Sequence, residues 1–132
     1  MRYLGIAFAL LLGTALSAQT DITAGFTLAL QKGNAAKLAS YFGPNVDITV
    51  LGEEGTMSPA AAQKTLDNFF RGHAPKSFKI MHKGTSKLDD HYRIGDLVCA
   101  DGTYRVTFFM HRADAGMQVK QLRIESFEED DF

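Results

Sequence analysis

Apolar residues between positions 20 and 42 recur every three or four residues, which is the spacing of amphipathic helices. This pattern predicts two helices. Thr20 or Asp21 can cap the first helix and Gly33 can end it, whereas Asn34 can cap the second, which is short. The alternating segment VDITV at 46–50 then predicts a strand with its valines and isoleucine on one side.

A third helix is predicted after residue 57, because Ser58 is a favourable N-cap and Pro59 suits the first helical position. We interpret the preceding GEEGTM, residues 52–57, as a turn. From residue 75 to 125 the period changes to two, broken by KLDD, DG and ADAG, which predicts four strands joined by hairpin turns. Helices followed by a mostly antiparallel sheet indicate the α+β class.

The hairpin turns also predict a strand register. Asp101-Gly102 favours a two-residue turn. Pairing outward from this turn predicts four pairs of neighbours: Cys99 with Tyr104, Leu97 with Val106, Gly95 with Phe108, and Arg93 with Met110. A four-residue loop at 87–90 then places His82 opposite Gly95.

This register divides the side chains between two faces of the sheet. The inner, largely apolar face would carry four polar side chains: His82, Arg93, Cys99 and Tyr104. The outer face would expose four large apolar side chains: Tyr92, Ile94, Val98 and Phe109. Because polar residues surround this apolar group, we expect it to form the interface of a homodimer.

Composition and charge narrow the class of protein. The chain has 132 residues, of which 45% are hydrophobic and 22% charged, with a net charge of −1. These values are typical of one globular domain, and they give no basis for nucleic-acid binding.

The N-terminal segment has the layout of a secretory signal peptide. Arg2 precedes an apolar run, LGIAFALLL, which is too short to span a bilayer, and small residues follow. We expect cleavage after Ser17 or, as we favour, Ala18, and no lipid anchor, because no cysteine lies nearby. The predicted organisation is a signal peptide at 1–18, a domain at 19–127 and an acidic tail at 128–132. The protein is expected to be secreted or periplasmic, with no membrane span after cleavage.

Several segments resemble a known fold family. GNAAKLASYFGPNVDITV is similar to the second helix and first strand of the cystatin-like cone, the nuclear-transport-factor-2-like superfamily. Together with PKSFKIMHKG, HYRIG, GTYRVTFFM and LRIE, it resembles a family of small secreted bacterial proteins of unknown function. The resemblance implies three helices packed on a curved sheet. It implies no activity, because members of the superfamily include isomerases, dehydratases, hydrolases and binding modules.

The candidate binding residues are His82, Arg93 and Tyr104, which the predicted register places on the inner face. A cone-type isomerase would need an inward carboxylate as its base, and the alternation places none there. The sequence therefore favours a binding or interaction module for a small hydrophobic or anionic ligand. A cone-type lyase, isomerase or hydrolase, with His82 as acid or base, stays open as the alternative.

Other chemistry is not favoured by the sequence. The four histidines show no pair at metal-ligand spacing, and one cysteine cannot make a zinc site, so we expect neither a metal nor a cofactor. Cys99 has apolar predicted neighbours and is interpreted as a small core residue rather than a nucleophile.

Overall fold

A computed structural model describes residues 21–127 of the chain. The predicted signal peptide and acidic tail lie outside these residues. The described elements are α1 (Thr23–Lys32), α2 (Ala35–Ala39), β1 (Phe42–Val50), β2 (Glu53–Met57), α3 (Pro59–Gly72), β3 (Pro75–Thr85), β4 (His91–Cys99), β5 (Gly102–Ala113) and β6 (Gly116–Ser126). None of the helices within residues 21–127 combines the length and apolar character needed to cross a membrane.

The strands form one sheet in the order β2-β1-β6-β5-β4-β3. Neighbouring strands are antiparallel, with the exception of β1 and β6, which run parallel. Helix α1 packs on β3 and α3 packs on β1. The predicted α+β class and the three predicted helices are confirmed.

The interpretation of residues 52–57 as a turn is wrong, because most of this segment forms strand β2. Leu51 and Gly52, both with positive φ, make the two-residue turn, and Val50 pairs with Glu53 across it. Strand β2 is an exposed edge strand, so no alternation of apolar and polar residues marks it in the sequence.

The predicted register between β4 and β5 is also wrong, by two residues. Cys99 pairs with Gly102 and Leu97 with Tyr104, so the turn consists of residues 100 and 101. Gly102 has φ +146° and serves as the first residue of β5, just after the turn rather than inside it. Because side chains alternate with a period of two, this shift leaves every residue of the hairpin on its predicted face.

A β-bulge at Met81 overturns the predicted position of His82. Ile80 pairs with Gly95, but His82 pairs with Ile94, so Met81 is an extra residue in β3. The bulge moves His82 off the inner face, where it was expected to lie opposite Gly95. Gly95 instead lies under the ring of Phe78, at a point where a Cβ atom would come 2.5 Å from Phe78 Cζ.

Phenylalanine side chains fill the interior between the helices and the sheet. The fully buried ring of Phe26 lies 4.6 Å from that of Phe108 and 6.2 Å from that of Phe42, between centroids. Phe69 and Phe70 of α3 are also buried and make an edge-on contact, with centroids 5.5 Å apart. Tight packing of aromatic rings gives the core its shape and leaves functional side chains to the margins of the sheet.

Candidate ligand-binding clefts

An open cleft of about 420 Å³ lies where the start of α1 meets strands β3 and β4. We name it the basic cleft. Its lining residues are Asp21, Thr23, Ile80, Met81, His82, Lys83 and Arg93. Two predicted binding residues, His82 and Arg93, therefore line one cleft, although by a different route from the predicted one.

The bulge at Met81 brings Lys83 to this cleft. Beyond the bulge, Lys83 pairs with Arg93, so the two cations are cross-strand neighbours. Arg93 is half-buried, and its Nη1 donates a hydrogen bond of 2.9 Å to the carbonyl oxygen of Tyr92. His82 and Met81 are exposed at the rim. The cleft thus combines positively charged groups with an apolar surface.

The carboxylate of Asp21 partly offsets the positive charge of the basic cleft. Hydrogen bonds from Thr23 lower the pKa of Asp21, and the nearby Arg93 guanidinium lowers it further. Asp21 is therefore ionised at neutral pH. Lys83 and Arg93 bring two formal positive charges to the lining, against the single negative charge of Asp21.

The third predicted binding residue, Tyr104, lies in a different cluster. Its hydroxyl donates a hydrogen bond of 2.6 Å to Asp101 Oδ2 and lies 2.8 Å from His73 Nδ1. The same His73 nitrogen is 2.8 Å from Asp101 Oδ2. Tyr104 is therefore not among the lining residues of the basic cleft, where His82 and Arg93 lie.

The environment of this cluster sets its ionisation. Burial, followed by the Asp101 hydrogen bond, raises the pKa of Tyr104 to about 12, so the phenol keeps its proton. Hydrogen bonds from Tyr104 and then His73 lower the pKa of Asp101, which keeps its charge. The cluster is a fixed hydrogen-bonded unit with a carboxylate at its centre.

Sequence reasoning missed His73 and Asp101 because they come from separate elements. His73 is the residue that follows α3, and Asp101 is in the β4–β5 turn. The short spacing between Asp101 and Tyr104 could have indicated that their side chains meet. This inference would have needed the correct register between β4 and β5.

A second cleft, of about 330 Å³, borders this cluster between the β1–β2 turn and α3. We name it the α3 cleft. Its lining residues are Val50, Leu51, Glu53, Thr65, Asn68, Phe69 and His73. The His73 ring stacks on that of Phe69, with centroids 4.6 Å apart, and is a wall of this cleft.

Two further titratable side chains have structural roles. Cys99 is buried, and burial raises its pKa to about 11, so the thiol keeps its proton at neutral pH. Asp90, which was predicted to be in a turn, lies in the β3–β4 loop and is 3% exposed. His111 and Lys120 bind its two oxygens.

The outer face of the sheet gathers the four predicted interface residues. Tyr92 is paired with Phe109, and their rings lie 5.7 Å apart between centroids. Val98 is 38% exposed, whereas Tyr92, Ile94 and Phe109 are half-buried within the chain itself. At one corner, the ring of Phe127 covers the Arg105 guanidinium at 4.8 Å.

Within residues 21–127, histidine, cysteine and acidic residues form no group of three or more that could hold a metal ion. The basic cleft and the α3 cleft are two candidate sites for a ligand in the described part of the chain.

Three helices on a curved, open, six-stranded sheet define a cystatin-like cone of the nuclear-transport-factor-2 type. A designed protein of that type with a long sheet superposes with a TM-score of 0.61 at 18% identity, covering 78% of this chain and 95% of the design. This likeness confirms the predicted fold.

The chain belongs to the DUF4783 family, described as a domain of unknown function, whose model matches residues 23–125. A family member from Bacteroides fragilis YCH46 is 29% identical, with a TM-score of 0.72, over 78% of this chain and 96% of its own. A member from Bacteroides uniformis ATCC 8492 is 28% identical, with a TM-score of 0.75, over 83% and 100%. No curated protein matches the chain.

Proposed function

We propose that this protein is a non-enzymatic binding module that holds a small organic anion in the basic cleft. The observation that carries the proposal is that Arg93 and Lys83, which are cross-strand neighbours, line one open cleft with His82 at its rim. Arg93 and Lys83 supply charge-assisted hydrogen bonds to a carboxylate or phosphate group. Because Arg93 is half-buried, its interaction with an anion is less screened by water than that of a fully exposed side chain.

The apolar part of the ligand would lie on Met81 and Ile80. Met81 is 49% exposed, and its flexible thioether adapts to ligands of different shape. The bound molecule is therefore expected to pair an anionic head with a short hydrocarbon portion.

The geometry favours binding over catalysis. In the alternative, His82 acts as acid or base together with Arg93 or Tyr104, but Tyr104 is hydrogen-bonded to His73 and Asp101. The centre of the cone, where an enzyme of this fold would hold its substrate, is filled by the ring of Phe26 and its aromatic neighbours.

Hexanoate is a suitable probe, and two-dimensional NMR of the labelled protein is a suitable measurement. We expect hexanoate to shift the amide signals of residues 80–83 and 93. Lys83→Ala should weaken binding at least five-fold, whereas Lys76→Ala, an exposed lysine of the same strand outside the cleft, should leave it unchanged. Equal binding by both variants, or an equal response to hexanol, would overturn the proposal.

We further propose that the module acts outside the cytoplasm after removal of residues 1–18. The support is the basic start, the apolar run and the small residues before Gln19. Expression in a Gram-negative host, followed by intact-mass measurement of the periplasmic fraction, tests it. We expect the mass of a chain that begins at Gln19. Full-length protein confined to the cytoplasm would contradict the proposal.

We also propose that the outer sheet face binds a second copy of the chain. Opposite charges on this face, Asp96 beside Arg105 and Arg105 beside Glu125, make it self-complementary under a two-fold axis. The Tyr92–Phe109 pair and exposed Val98 supply its apolar centre.

Light scattering coupled to gel filtration tests this interface. Phe109→Lys should give a folded monomer, whereas Leu88→Lys, at a 77% exposed leucine in the β3–β4 loop, should stay dimeric. A wild-type protein that is monomeric at high micromolar concentration would exclude the interface.

A further inference from the structure

The α3 cleft has a polarity opposite to that of the basic cleft. Glu53 contributes a carboxylate, and none of the lining residues is a lysine or arginine. Arg71 reaches Asn68 Oδ1 at 3.5 Å, but Arg71 itself is not part of the lining. The ionised Asp101 contacts His73 and adds to the negative potential of the site.

The hydrogen-bonded cluster fixes which nitrogen of His73 faces a ligand. Tyr104 already donates its proton to Asp101, so two oxygens that accept hydrogen bonds surround His73 Nδ1. This environment assigns the ring proton to Nδ1, and in the neutral ring Nε2 then carries a lone pair. Nε2 has no hydrogen-bond partner among residues 21–127.

Thr65 adds a further acceptor. Its hydroxyl donates a hydrogen bond of 3.2 Å to the carbonyl oxygen of Ala61, one turn earlier in α3, so its lone pairs stay available. Glu53, Thr65 and His73 thus present three acceptors to one cleft.

An exposed leucine supplies an apolar wall. Leu51 is 42% exposed and has φ +49°, a left-handed conformation that is uncommon for a bulky residue. This conformation is the one that the two-residue β1–β2 turn requires. Leu51 borders the cleft together with Val50 and Phe69, which gives it an apolar side facing the three acceptors.

We propose that the α3 cleft binds a small primary ammonium ion with a short hydrocarbon chain. The ammonium group pairs with the Glu53 carboxylate and donates a further hydrogen bond either to Nε2 of His73 or to the hydroxyl of Thr65, which lie about two turns of α3 apart. The hydrocarbon chain packs against Leu51. This site is separate from the basic cleft, so either one can fail experimentally without the other.

Hexylammonium is the probe, and titration of the labelled full chain followed by two-dimensional NMR is the measurement. We expect shifts at residues 51, 53, 68 and 73, and none at residues 80–83. Hexanoate should give the opposite pattern, and hexanol should give neither at the same concentration. A crossed response of this kind distinguishes charge recognition from general affinity for apolar chains.

Glu53→Gln is the decisive variant, because it removes the charge at an exposed position without disturbing packing. It should weaken hexylammonium binding at least ten-fold. Glu54→Gln is the matched control, since alternation along β2 directs its neighbour to the other side of the strand. Equal effects of the two substitutions, or shifts that hexylammonium and hexanol cause alike, would overturn the proposal.

Discussion

The carboxylate of Asp90 lies 2.5 Å from the ammonium group of Lys120, and it joins the β3–β4 loop to strand β6. The Asp90 side chain is 4% exposed, whereas that of Lys120 is 42% exposed. His111 from β5 binds the second carboxylate oxygen at 2.8 Å. Two hydrogen bonds hold the loop in place: the Asp90 amide donates to the Ser86 hydroxyl oxygen, and the Ser86 amide donates to the Asp90 carbonyl oxygen.

We predict that Lys120→Met destabilises the protein by about 1–3 kcal/mol, because it leaves a buried carboxylate with one partner fewer. The loss of stability should lie near the lower end of this range, because water reaches Lys120 and His111 still binds Asp90. Urea unfolding measures the change. Lys64→Met, at an exposed position of α3, should change stability by less than about 0.5 kcal/mol; equal losses in the two variants would contradict the role of Asp90.

Acid should destabilise the protein partly through Asp90. Burial by itself raises the pKa of this carboxyl, but hydrogen bonds from Lys120 and then His111 outweigh burial and hold it below the ordinary value of 3.8. A lowered folded-state pKa stabilises the protein above pH 3.8, and this contribution is lost as the pH falls further. Unfolding free energies measured from pH 7 to pH 3 should therefore decline less steeply below about pH 4 in Asp90→Asn; an identical slope would refute this.

Substitution by alanine should reduce stability to different extents at two glycines on neighbouring strands. A Cβ at Gly95 would come 2.5 Å from the backbone oxygen of Lys79, which cannot move away. We predict a loss of about 1–3 kcal/mol for Gly95→Ala. At Gly84 the close atom is the Tyr92 hydroxyl, at the end of a half-buried side chain that can rotate, so Gly84→Ala should cost less. Thermal unfolding of the two variants compares them directly, and a larger loss at Gly84 would contradict this account.

Cys99 should react slowly with maleimide in the native protein. Its side chain is buried and its pKa is raised to about 11, so thiolate is scarce at pH 7. In denaturing urea the reaction should become fast. Rapid labelling of the folded chain, followed by mass spectrometry, would show that the β4–β5 end of the sheet opens readily.

The faces of β4 and β5 could be predicted from the sequence because alternation survives a register error of two residues. The register itself could not, because Asp101-Gly102 was taken as the turn, whereas Gly102 begins the next strand. Strand β2 lacked any apolar alternation, since each of its residues before Met57 is exposed.

The candidate site depended on features that a linear pattern does not contain. His82 was placed on the wrong face because a single bulged residue, Met81, inverts every assignment beyond it. The association of His73 with Asp101 and Tyr104 requires the end of a helix to meet a hairpin turn, which is a tertiary contact. His82 and Arg93 were predicted to lie near each other, and both line the basic cleft. That prediction depended on a β3–β4 register that the structure does not have.

The parallel pairing of β1 with β6 has a consequence for the order in which the protein can form. Strand β1 is made early by the ribosome, yet one of its two neighbours consists of residues 119–124, near the end of the described chain. Until those residues emerge, β1 can pair only with the short hairpin strand β2. Closure of a long loop delays such pairing. The sheet is therefore completed only after most of the chain has been synthesised.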